Sequence, residues 1–84
     1  MKTQEELKQE YMHSLYRAFI VRNADFIMID GWSGEFLRNC ANFGLDEKII
    51  RFDGLTSKRV SDSQCEIIAY RLTESGRQRL EALN

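Results

Sequence analysis

Apolar residues at the start of the chain recur at helical spacing. Leu7, Tyr11, Leu15, Ala18 and Phe19 form one row, and Met12, Tyr16, Phe19 and Ile20 form a second beside it. The pattern predicts a helix over residues 3–22. Thr3 stands at the N-cap position with Glu6 three residues later, the spacing of a capping box, and Glu5 and Glu6 suit the positive end of the helix dipole. Two apolar rows are more than one side of a small domain needs. Either the helix is central and buried on two sides, or one row packs against a second copy. The second reading makes Tyr11, Met12, Tyr16 and Ile20 interface residues of a homodimer formed through this helix.

The next run, Phe26-Ile27-Met28-Ile29, is too short for periodicity to separate strand from helix. With Asn23 or Asp25 available as a cap, residues 24–30 are expected to form a short helix. Gly31-Trp32 then breaks the chain. Ser33 is placed as an N-cap for a helix over 33–43, with Glu35 in its first turn. Phe36, Leu37, Cys40, Ala41 and Phe43 form its apolar stripe, and Arg38, Asn39 and Asn42 project from the other face. Gly44 sits where a terminating glycine belongs. Helix, glycine turn, helix is the helix-turn-helix plan, with 33–43 as its second helix.

The pattern changes after residue 47. Residues 48–53 and 65–72 read as strands, the second being the strongest in the chain. Between them, residues 54–64 are polar and turn-rich, and read as a long loop with Lys58 and Arg59 at its tip. Adjacent strands pair most simply as an antiparallel hairpin. Thr73 caps a last helix with Leu80 and Leu83 on its inner face. The expected fold is α+β, mainly α: one domain over 1–84, a winged helix-turn-helix with a two-stranded wing and a short C-terminal helix.

Composition narrows the functional classes. With 43% hydrophobic and 30% charged residues, the 84-residue chain is globular rather than disordered. No apolar run reaches the ~18 residues of a membrane span, and the N-terminus lacks the apolar segment of a signal peptide. Two isolated cysteines, Cys40 and Cys65, and one histidine supply neither a disulfide framework nor a zinc site. They read as reduced core residues of a cytoplasmic protein that needs no cofactor or metal; a redox pair is the alternative. Net charge is −1, so no global basic footprint exists. Residues 1–47 carry −3 and residues 48–84 carry +2, which turns the C-terminal half toward any anionic partner. Catalysis is not expected. His13 lies on the first helix beside apolar neighbours, Gly31-Trp32-Ser33-Gly34 fails the spacing of a nucleophile elbow, and no carboxylate pair has acid/base spacing.

Tyr70-Arg71-Leu72-Thr73-Glu74-Ser75-Gly76-Arg77, followed by Leu80, resembles the wing-to-helix junction of winged-helix regulators of the PadR-like and MarR-like kind. Phe43-Gly44-Leu45 is similar to their junction after the recognition helix. The resemblance covers residues 33–84 and implies a winged-helix fold and a dimeric DNA-binding role. Ile27 stands where such motifs carry a small residue, and Trp32 occupies the turn.

Two functions follow as expectations. The first is a small transcriptional regulator or DNA-binding accessory protein. Arg38, Asn39 and Asn42 would read base edges of double-stranded DNA, Ser33 would hold a phosphate at the helix N-terminus, and Lys58 and Arg59 would follow the backbone or minor groove from the wing. The second is a non-enzymatic modulator or inhibitor that binds another protein on the same scaffold, as small phage and plasmid accessory proteins do. Trp32, Phe26 and Tyr16 would be its anchors.

Overall fold

The computed structural model describes residues 1–83, Val60 by its backbone alone. Its elements run α1 (Gln4–Tyr16), a π-helical turn (Arg17–Val21), β1 (Phe26–Asp30), α2 (Glu35–Asp46), β2 (Ile50–Val60), β3 (Ser63–Leu72) and α3 (Glu74–Glu81). The strands form one antiparallel sheet in the order β1-β3-β2. The architecture is α+β.

The capping box of α1 forms as the sequence predicts. The Thr3 hydroxyl accepts the Glu6 N–H at 3.2 Å, and the Glu6 carboxylate accepts the Thr3 N–H at 3.2 Å. The helix does not stay regular to residue 22. It widens after Tyr16 into the π-turn, in which Arg22 N–H reaches back five residues to Arg17 O at 3.2 Å. Leu15 and Phe19, one turn apart, are both fully buried. They meet Ile49, Ile50, Tyr70 and Leu80 in the core, and each such side chain contributes about 1.5–3 kcal/mol by leaving water.

Residues 24–30 do not form the expected helix. Phe26–Asp30 is a strand, paired antiparallel with β3 from Phe26↔Arg71 to Asp30↔Ile67. A five-residue helix would leave most of its backbone groups unbonded, whereas an edge strand beside β3 bonds half of its own at once. Alternation then sends Ile27 and Ile29 to the core and Phe26 and Met28 to the opposite face. As a result a strand and a turn precede α2, where the helix-turn-helix plan requires a helix.

Three boundaries near α2 also differ from expectation. Ser33 is not the N-cap; Gly34 is, and no side chain caps it. Gly44 does not end the helix, which continues to Asp46 and is closed by Lys48 at φ 60°. Gly44 is buried because β2 crosses there: a Cβ on it would lie 2.9 Å from Ile50 Cγ1. The polar stretch 54–64 is not a loop. It forms most of β2 and the start of β3, joined by a tight turn at Ser61-Asp62 with Ser61 at φ 56°. Its serines, threonine and cations line a two-stranded ribbon that projects from the core, so their polarity reports exposure rather than loop. The β2–β3 pair is therefore a long hairpin, and β1 makes the sheet three-stranded. A bulge between Phe52 and Gly54 bends β2.

The β3–α3 junction explains the Leu72-Thr73-x-x-Gly76 spacing. Thr73 Oγ1 accepts the Gly76 N–H at 2.9 Å and lies 2.7 and 2.9 Å from the carbonyls of Lys48 and Ile49. The Thr73 N–H also donates to Ile49 O at 2.9 Å. Gly76 lets the helix start press on that strand entrance, since a Cβ there would sit 2.1 Å from Ile49 O. Threonine caps the helix and glycine admits the backbone of β2, so both residues serve the fold.

Candidate functional site

A chemically varied surface lies where the β1–α2 turn meets α2 and the start of β3. Asp30 builds the turn. Its carboxylate accepts the Trp32 N–H at 2.8 Å, its carbonyl accepts the Ser33 N–H at 3.1 Å, and its own N–H donates to Ser33 Oγ at 3.2 Å. The Gly31 N–H donates to Cys65 Sγ at 3.0 Å and ties the turn to β3. This scaffold presents Trp32 to solvent, 56% exposed.

Phe36 and Leu37, in the first turn of α2, are 42% and 45% exposed. Phe36 also lies 5.4 Å from the Tyr11 ring, and Phe43 lies 5.4 Å from the same ring. A shallow groove beside this stack is lined by Leu7, Lys8, Tyr11 and Phe43. The sequence pattern reads Phe36 and Leu37 as core. Residues 36, 37, 40, 41, 43 and 44 span too much of the helix circumference for one buried stripe, and Cys40, Ala41 and Gly44 take the buried centre. The apolar edge is left in water.

A cleft of about 450 Å3 opens between α2 and the β1–β3 pair. Ile29, Ile68 and Tyr70 give it an apolar floor, and Arg38, Asn42 and Glu66 stand at its rim. Two of the residues expected on the recognition face, Arg38 and Asn42, therefore meet in one place. Asn39 is exposed on the same helix but does not line the cleft. Asp30, Gln64 and Glu66 join the cleft unforeseen, because it is the pairing of β1 with β3 that brings Gln64 and Glu66 beside Asp30 and α2. Arg38 Nη1 donates to Ser33 O at 2.5 Å, so it also braces the turn. The Ser33 hydroxyl is engaged with Asp30 and does not cap α2.

Lys58 and Arg59 are exposed near the hairpin tip, opposite Cys65 and Gln64 respectively. As neighbours in a strand they point to opposite faces of the ribbon. Four of the C-terminal half's cations sit in ion pairs. Arg51 and Arg71 pair with Asp53 at 3.5 and 3.3 Å, Arg77 with Asp25 at 3.2 Å, and Arg79 with Glu47 at 2.9 Å. The last two partners belong to the acidic N-terminal half.

Tyr11, Met12, Tyr16 and Ile20 are half-buried against the core. The second apolar row of α1 is thus covered in large part within the chain. Both cysteines are buried and unpaired with each other. Burial pushes the Cys40 thiol up, against the smaller opposing effects of the Ser14 hydroxyl and Arg17. Among the described residues no helix is long and apolar enough to cross a membrane, and no three His, Cys, Asp or Glu side chains gather as a metal site. Neither protein-family models, nor curated proteins, nor solved structures give a match to this chain.

Proposed function

We propose that this chain is a non-enzymatic binding protein that docks another protein against the N-terminal end of α2. The observation that carries the reading is that Trp32, Phe36 and Leu37, three large apolar side chains around the start of α2, stand exposed, while Arg38 of the same turn lines a cleft with an apolar floor. Interface hot spots favour large, partly exposed apolar side chains next to a polar rim. Here the rim offers one cation, Arg38, against Asp30 and Glu66. That balance suits a protein segment with polar and basic groups better than a phosphate backbone, which carboxylates repel. The scaffold under it is a reduced winged helix. The order of strand, helix, hairpin and helix supports that reading, as does the Thr73/Gly76 junction, with one helix before the hairpin instead of two.

DNA binding is the second reading. It is favoured by Arg38, Asn39 and Asn42, three exposed side chains on one helix that can bond base edges, beside a hairpin carrying Lys58 and Arg59. Titration with random duplex DNA at low salt separates the two. Protein docking predicts no binding. Binding whose salt slope falls by about one unit in Lys58→Ala or Arg59→Ala would favour DNA and contradict the first reading.

A further inference from the structure

We propose that β1 pairs edge to edge with β1 of a second copy, antiparallel, about a two-fold axis through Ile27. The strand order leaves β1 and β2 as the two edges of the sheet. The β2 edge is guarded by a bulge and by Arg51, Lys58 and Arg59, devices that deter pairing. Phe26–Asp30 has no lysine, arginine, proline or bulge.

The hydrogen-bonding groups select the register. Leu72 N–H donates to Asp25 O at 3.0 Å, which makes Asp25, Ile27 and Ile29 the residues that bond β3. By alternation Phe26, Met28 and Asp30 turn their backbone groups outward. Those of Asp30 are already satisfied by Ser33, its N–H by Ser33 Oγ at 3.2 Å and its carbonyl by the Ser33 N–H at 3.1 Å. The N–H and C=O of Phe26 and of Met28 remain, without a partner among the described residues. An axis through Ile27 sets Phe26 opposite Met28 of the second copy, and Met28 opposite its Phe26. All four groups on each strand then pair. An axis through Met28 would need the backbone of Asp30, which the turn has taken. In the favoured register Asp30 falls opposite Ala24, so no carboxylates face one another.

The side chains agree with the backbone. Phe26 and Met28 are 47% and 65% exposed on the outer sheet face, beside Ile67 and Ala69. Pairing sets each Phe26 ring next to a methionine sulfur, a favourable contact. Arg71 covers the other side of the ring at 5.7 Å. The self-complementary register and its two-fold closure commit the edge to a second copy rather than to an open chain of strands.

Sedimentation of the full chain, together with amide exchange, tests this. The expected species at high concentration has twice the 9.9 kDa mass of the chain. The Phe26 and Met28 amides should exchange about tenfold more slowly there than at low concentration. Met28→Pro removes the outward N–H without touching a β1–β3 bond and should give a folded monomer. A wild-type monomer at millimolar concentration overturns the proposal. So does a dimer with unprotected Phe26 and Met28 amides, as pairing through Tyr11 and Tyr16 on α1 would give, or a folded Met28→Pro dimer. Should Met28→Pro fail to fold, the wild-type amide exchange decides alone.

Discussion

Cys40 shows how one residue's surroundings decide its chemistry. It lies on the buried face of α2, its Sγ 3.5 Å from Tyr11 O, and burial raises its pKa. The folded chain therefore keeps the proton that the unfolded chain gives up near 9.0. The sign follows from linkage: the contribution is fully present below that value and is lost as pH rises beyond it. Chemical unfolding at a series of alkaline pH values should show wild-type stability falling more steeply above pH 9.0 than that of Cys40→Ala. Parallel profiles would mean that the thiol is not held neutral. Lys58 and Arg59 teach a different lesson at the same scale. Adjacent in sequence, they read as one basic tip, and only the strand geometry separates them onto two faces. Sequence adjacency implies a shared surface in a loop but not in a strand.

Among the elements, those with local signals were legible and those fixed by distant partners were not. The N-terminus of α1 and the start of α3 are written in Thr3/Glu6 and Thr73, and both caps form. The strand 26–30 depends on β3, whose paired positions run from Arg71 back to Ile67, so its short apolar run carries no local mark of its state. Gly44 misleads because a glycine after an apolar stripe signals a helix end, yet here it admits Ile50. Gly76 and Gly34 offer a direct contrast. Gly76→Ala should cost at least about 2 kcal/mol, because its Cβ would strike the Ile49 backbone. Gly34→Ala meets nothing within 4 Å and should change stability by less than about 1 kcal/mol. Denaturant midpoints of the two variants measure this, and equal losses would contradict the packing described for α3.

For the whole molecule, charge and apolar surface point in different directions than they do in sequence. Two cations of the C-terminal half, Arg77 and Arg79, pair with carboxylates of the N-terminal half, which weakens the compositional argument for an anionic partner. Exposed Trp32, Phe36 and Leu37 supply instead an argument for a protein partner. Trp32 after a glycine at a turn reads equally as a projection or as a plug between helices, and the fold leaves it exposed. Phe36 and Leu37 were hidden inside a stripe that looked like core. Site-specific photo-cross-linking within the cell tests the claim most directly. A photoreactive residue at position 36 should give a discrete adduct with another protein, lost on Trp32→Ala, while the same residue at position 78 on α3 gives none. Failure to cross-link at 36, or equal adducts at 36 and 78, would contradict docking at α2.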